Sequence, residues 1–174
     1  MKGKKRAAVL LGALAAVLAL ALGGFALAAN PEHVTVTAPV AQTIRLSVSK
    51  NAVNFGGGNL DPETGSYADS LTATVRSNVN WRLQVEKNRD LTGVDPANVI
   101  PSGQLTFTSS SGNPRVTAVR SSATQFGATG SPTMVAEGTK GNNIDVSVNY
   151  ALTVTWDESP DTYSATHTYT VIAR

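Results

Sequence analysis

NIDVSVNYALTVTWDESPDTYSATHTYTVIAR, residues 143–174, is the stretch that decides the fold. Ile144, Val146, Val148, Tyr150, Leu152, Val154 and Trp156 take every second position, and Asp145, Ser147, Asn149, Ala151, Thr153 and Thr155 fill the gaps. Side chains of a strand point alternately to its two faces, so this pattern makes one apolar face and one wet face. DESPD then breaks it, because Pro160 has no N–H for a ladder and Asp and Ser favour turns. Tyr163, Ala165, His167, Tyr169 and Val171 resume the alternation against Thr and Ser. The expectation is two long strands joined by a tight acidic turn.

Working outward, the same period recurs in shorter runs. Val34 and Val36 alternate with Thr35 and Thr37; after Pro39, Ile44, Leu46 and Val48 share a face. Leu71, Ala73 and Val75 form one run and Val79, Trp81, Leu83 and Val85 the next, with Ser77-Asn78 as a tight turn or bulge between them. Leu105 and Phe107 mark another strand, residues 115–120 a weak one, and Thr133–Glu137 the strand-like part of a Gly-rich stretch. Residues 56–69 and 89–103 read as loops, the second as a long connection between sheets. About nine or ten strands spaced by turn signals, with no helix beyond an N-terminal one, predict an all-β, Ig-like antiparallel β-sandwich.

The N-terminal helix is expected to be a targeting segment. Four basic residues (Lys2, Lys4, Lys5, Arg6) precede 22 apolar or Gly residues, Ala7 to Ala28, and Ala26-Leu27-Ala28 offers a small-residue cleavage site. Residues 1–29 therefore read as a signal peptide and residues 30–174 as the sandwich domain; an uncleaved anchor is the competing reading, since the run could just span a bilayer. The precursor has 14 basic and 12 acidic residues. Loss of the four basic ones leaves ten against twelve, with no Lys/Arg cluster, so nucleic acid is not an expected partner. A domain of that size buries ~70% of its unfolded surface. It has no cysteine, which removes a disulfide scaffold, a lipid-modified Cys and thiolate metal sites together.

Few residues suggest chemistry. His33 and His167 are the two histidines, too few for a clustered zinc site, and His167 reads as structural on the Tyr163/Tyr169 face. No Ser stands in a G-x-S-x-G elbow. Asp157, Glu158 and Asp161 crowd one turn and are weak calcium candidates without the EF-hand spacing; a solvated turn is the preferred reading. Asp61, Glu63 and Asp69 crowd another. Gly56-Gly57-Gly58 lacks the Gly-Lys-Ser/Thr ending of a phosphate loop. Trp81, Trp156, Tyr150, Tyr163 and Tyr169 alternate in phase with Val and Leu and are read as core rather than as a sugar platform, while Tyr67 is the aromatic expected to be free.

VNFGG at residues 53–57, TVRSNVNWRLQV at 74–85 and PDTYSATHTYTV at 160–171 together resemble the exported Ig-like β-sandwich proteins of bacterial envelopes, including spore-coat-U-type and pilin-like subunits. The resemblance touches about a third of the mature chain. It implies surface structure, adhesion or filament assembly, and no catalytic residues; many such domains carry a disulfide, which this chain cannot form.

Independently of that likeness, a sandwich has edge strands that another chain can extend. Residues 33–38 (HVTVTA) are the candidate donor strand, with Val34 and Val36 filling alternate pockets of a neighbour; the plainer reading pairs them with their own sheet. The expected function is thus that of a secreted or cell-envelope structural or adhesive protein, not an enzyme, self-assembling or joined to other envelope proteins, with no cofactor. It would meet the membrane only through an uncleaved signal segment. The alternative is an extracellular glycan- or calcium-binding module.

Overall fold

The computed structural model describes residues 32–174, so the expected signal segment, residues 1–29, lies outside the described residues. Two units are distinguished, one ending at Pro39 and the other Val40–Arg174. In the first, the described residues from Glu32 are exposed, and none belongs to a strand.

The second unit is all β, with a single 3-10 turn at Ser102–Gln104. Its strands are β1 (Ile44–Val48), β2 (Ser66–Ser77), β3 (Trp81–Lys87), β4 (Leu91–Thr92), β5 (Val99–Ile100), β6 (Leu105–Ser110), β7 (Val116–Val119), β8 (Thr124–Gln125), β9 (Thr133–Gly138), β10 (Gly141–Thr153) and β11 (His167–Ala173). One antiparallel sheet runs β1-β2-β10-β6-β8 and the other β11-β3-β9-β7; β4 and β5 pair by themselves. Inner rows from both sheets meet in one core: Leu71, Ala73, Val75, Phe107, Ile144, Val146 and Val148 on one side, Trp81, Leu83, Val85, Val135 and Ala136 on the other. This is a β-sandwich architecture, and the period-2 rows read from the sequence are buried in β2, β3, β6 and β10 but only partly so in β1 and β11.

The pairing differs from expectation at the stretch that decides the fold. Strands β10 and β11 are not a hairpin; they lie in opposite sheets. The reason is that β10 is central: β2 pairs along its length on one edge and β6 takes Ser147–Leu152 on the other, leaving no edge for β11. Residues 154–166 therefore cross between sheets. Past Val154, whose N–H still donates to Gly65 O at 2.8 Å, the Glu158 carboxylate accepts from the Thr155 N–H and turns the chain. Trp156 is thrown out of phase and stands 74% exposed instead of in the core.

Ser77-Asn78 is likewise a corner between sheets rather than a hairpin turn, because β2 and β3 belong to different ones. The Asn78 side chain clamps the segment before β1, accepting from the Thr43 N–H and donating to Ala41 O, both at 2.8 Å. Strand β2 begins at Ser66, inside the expected loop, and the long connection after β3 contains the β4–β5 pair. Residues 33–38, expected as a strand, form none.

Candidate functional site

The two lateral seams of the sandwich are built differently. On the β6/β9 side, buried Ser109 closes the gap: its hydroxyl donates to Val135 O at 2.7 Å and accepts from the Arg120 N–H at 2.8 Å. On the β1/β11 side the inner row is only half covered. Ile44 and Leu46 of β1, and His167, Tyr169 and Val171 of β11, are all partly exposed, and Val48 is exposed.

That open seam widens into a cleft of about 1210 Å3 toward the Ser66 end of β2. Leu71, Leu152 and Val154 of the first sheet line it together with loop residues on either side. Val53, Phe55 and Leu60 form one wall; Tyr163, Ala165, His167 and Tyr169 form another. Clefts that hold drug-sized ligands measure roughly 300–1,000 Å3, so this one has room for a longer occupant.

A polar chain crosses the floor. The Tyr150 hydroxyl lies 2.8 Å from that of Tyr169 and 3.1 Å from His167 Nδ1, and Phe126 packs on the imidazole with ring centres 4.2 Å apart. Burial pushes the Tyr150 phenol up to about 12 and the Tyr169 phenol further, the latter also through the neighbouring Tyr150 oxygen. Burial, and then the nearby Lys87 ammonium, hold His167 down at about 4. At neutral pH His167 is uncharged. With Nδ1 unprotonated, Tyr150 donates to it and accepts from Tyr169.

Below the chain, buried Lys87 donates to Asp90 Oδ1 at 2.6 Å and to the Ser102 hydroxyl at 2.5 Å; that hydroxyl in turn donates to Asp90 at 2.5 Å. Lys87 and Ser102 superficially resemble a base and its nucleophile. The carboxylate changes that, since an ammonium paired to Asp90 has no lone pair with which to take the serine's proton. The trio anchors the connection after β3. Nothing in the sequence singled it out, because its members are scattered along a stretch without period.

The acidic turn is also structural in its geometry. Asp161 accepts from Asn98 Nδ2 and from the backbone N–H groups of Val94, Asp95 and Thr162, at 2.7–3.1 Å. These bonds, the Asn98 amide first, hold its carboxyl below the usual range. Glu158 accepts from Gln104 Nε2 at 2.8 Å and from the Thr155 N–H and hydroxyl at 2.5 and 2.9 Å. Burial works against its charge, but these donors outweigh it and lower the pKa. Asp157 is exposed and apart from them. The three calcium candidates are therefore not brought together on one point, and among the described residues no group of three His, Asp or Glu side chains is arranged to hold a metal ion.

Of the aromatics, Trp81 and Tyr150 are core, Tyr163 and Tyr169 line the cleft, and Tyr67 is held rather than free. The Tyr67 hydroxyl donates to Asp61 O at 2.9 Å and accepts from the Asp61 N–H at 2.5 Å. Val34, Val36 and Val40 are 85%, 88% and 83% exposed, the most exposed large apolar residues among those described. No protein-family model and no curated protein matches this chain.

Proposed function

We propose that the protein is a structural or adhesive component of the cell surface, exported by residues 1–29, with an Ig-like sandwich that assembles with further copies through its edge strands. It works by association and not by catalysis. The observation that carries this reading is the state of β11. All seven of its residues pair with β3 on one side, and it is the terminal strand of its sheet. Its sequence, HTYTVIA, has no Lys, Pro or charged residue once His167 is neutral. Soluble proteins guard long edges with charges, prolines or shortness. The other edges are guarded in those ways: β1 carries Arg45, β8 has two residues, and β7 has four between Arg115 and Arg120. An unguarded seven-residue edge beside an open seam suits strand addition.

The same chain supplies a strand-like segment with no partner in its own sheet, Val34 to Val40, whose apolar side chains are exposed. Comparing the oligomeric mass of residues 30–174 with that of a chain beginning at Ala41 tests the reading. Multimers from the first and a folded monomer from the second are expected. A monomer in both cases, across micromolar concentrations, would sink it. The second reading, a glycan-binding module, draws on one observation, the exposed Trp156 ring beside Asp157, which could stack on a sugar face.

A further inference from the structure

We infer that the Ser77 end of the sandwich is a docking face for the phosphate groups of an anionic phospholipid membrane, with Arg45 and Arg76 at its centre. The inference goes beyond the assembly proposed above and does not depend on it. It names the surface on which each copy lies.

The pair stands on the outer face of the first sheet. Ile44 and Leu46 of β1 pack on the core and Val75 and Ser77 of β2 are buried, so Arg45 and Arg76 turn the other way, and both are exposed. They are directly opposite in the β1–β2 register. Cβ atoms of such pairs lie roughly 4.5–5.5 Å apart, where like charges repel and a shared anion relieves them. Arg76 is also aimed, since its Nε donates to Asn143 Oδ1 at 2.7 Å. Asn143 lies in the bulge between Gly141 and Ile144, at φ +51°, and is the one non-glycine residue of positive φ among those described. The bond engages Nε and leaves both terminal nitrogens without a partner among the described residues. Guanidinium edges left open in this way grip phosphate oxygens through parallel N–H bonds.

Two further cations enlarge the patch. The Arg115 side chain lies over Gly141, where a Cβ would meet its Cδ at 2.6 Å, and Gly141 pairs with Ser77. Its guanidinium donates to Lys140 O at 2.7 Å, and both Arg115 and Lys140 are exposed. None of the four cations has a carboxylate partner among the described residues. The ion pairs there are Lys50 with Asp69, Lys87 with Asp90, and Glu137 with Arg82 and Arg174. Asp145, on the same outer face, accepts from the Thr74 hydroxyl at 2.6 Å instead.

Charge is divided along the length of the sandwich. Asp61 and Glu63 precede Ser66, Asp157, Glu158 and Asp161 follow its partner Thr153, and Asp95 is bonded to Asp161, so these carboxylates gather at the opposite end. A domain divided in this way is steered with its positive end toward a negative surface and its acidic end away. The covalent route agrees with that orientation. The chain enters the domain at the basic end, where Asn78, next to Ser77, holds Ala41 and Thr43. The apolar residues 7–28 end at most about 45 Å of extended chain before Ala41. While that segment is held in a bilayer, the end it roots beside the headgroups is the one that carries Arg45 and Arg76.

Flotation of residues 30–174 with phosphatidylglycerol vesicles at low ionic strength tests this, since residues 1–29 would insert by themselves. Salt-sensitive binding to these vesicles, and none to phosphatidylcholine vesicles, is expected. Arg76→Gln should weaken binding about fivefold, and Arg45→Gln with Arg76→Gln about thirtyfold, with the urea midpoint kept. Arg89→Gln removes the same charge from the acidic end and should leave binding unchanged. An equal loss in Arg89→Gln would make net charge responsible and overturn the inference, as would equal binding to phosphatidylcholine. Soluble polyphosphate bound as tightly as the vesicles would show phosphate recognition without a membrane and overturn it too. Salt-sensitive multimers that form without vesicles and vanish in the double variant would assign the basic end to another copy's acidic end, which is the third way to lose it. The chain beginning at Ala41 should bind vesicles as the longer one does, so edge-strand assembly can fail while this inference stands.

Discussion

Tyr150 and Tyr169 stand on strands of opposite sheets, and their phenolic oxygens meet at 2.8 Å. This is a polar tie across an otherwise apolar interior, and His167 Nδ1 extends it on the other side of the Tyr150 hydroxyl. Tyr150 is the shared member. Tyr150→Phe strips both Tyr169 and His167 of a partner and should cost about 1–3 kcal/mol, whereas Tyr169→Phe leaves the Tyr150–His167 bond intact and should cost about 1 kcal/mol. Urea midpoints of the two variants check the ordering; a larger loss in Tyr169→Phe would mean the chain is not organised around Tyr150.

The imidazole in that chain predicts a pH dependence. His167 is held at about 4 in the folded state, below its ordinary value of 6.5, so the unfolded chain binds its proton first as pH falls. Stability contributed by neutral His167 is therefore complete above pH 6.5 and declines toward pH 4, by at most about 1.4 kcal/mol per pH unit. Folding free energies of the wild type and His167→Gln should converge in slope outside this window and differ within it. Equal slopes throughout would refute a buried neutral histidine.

Gly138 is predicted to be irreplaceable for a steric reason. A Cβ there would lie 2.3 Å from the Trp81 ring and 2.8 Å from Arg115 O. Trp81 cannot yield easily, being fully buried and donating from Nε1 to Thr139 O at 2.9 Å. Gly138→Ala should destabilise by about 1–3 kcal/mol, or more if the strand pair separates. A thermal scan showing no loss would mean that the indole has somewhere to move.

What the sequence revealed, and what it hid, divides along a physical line. Alternation reports which face a side chain takes, so the buried rows of β2, β3, β6 and β10 were legible residue by residue. It carries no information on which strand lies alongside. That is why β10 and β11 read as a hairpin although both edges of β10 are occupied. The cleft was hidden for a related reason. Val53, Phe55, Leu60 and Leu91 come from stretches broken by Gly, Pro and Asp, where no period marks an apolar residue as facing inward. Residues 33–38 were visible as a strand pattern, but that they form no strand is a property of the fold alone.

The unguarded β11 edge can be guarded by one residue. Thr170 is exposed on that strand, and its neighbours in sequence carry no charge. Thr170→Lys places a cation at the edge, the device natural sheets use against strand addition, at little cost to the fold because the site is solvated. The variant should be monomeric at concentrations where the mature chain multimerises, with an unchanged urea midpoint. If multimers persist, strands add at a different edge.

The crossover between the sheets should respond to acid in a way that links its two carboxylates to the cleft. Asp161 holds the β4–β5 turn and Glu158 holds Gln104, and residues 158–166 form part of the cleft wall. Both carboxyls are lowered in the folded state, so their contribution is present above the ordinary carboxylate range and lost as pH falls below it, through their lowered folded values. Gly93 adds a constraint, since a Cβ there would fall 2.2 Å from an Asp161 oxygen; the carboxylate sits in space that only glycine leaves open. Asp161→Ala should therefore loosen residues 93–98 and 158–163 together while leaving β2, β3 and β10 protected. Amide hydrogen exchange reads this directly. Faster exchange in both segments at neutral pH is expected, reproduced in the wild type only in acid below the ordinary carboxylate range. Loosening of residues 158–163 without residues 93–98 would show that Asp161 is not what joins them.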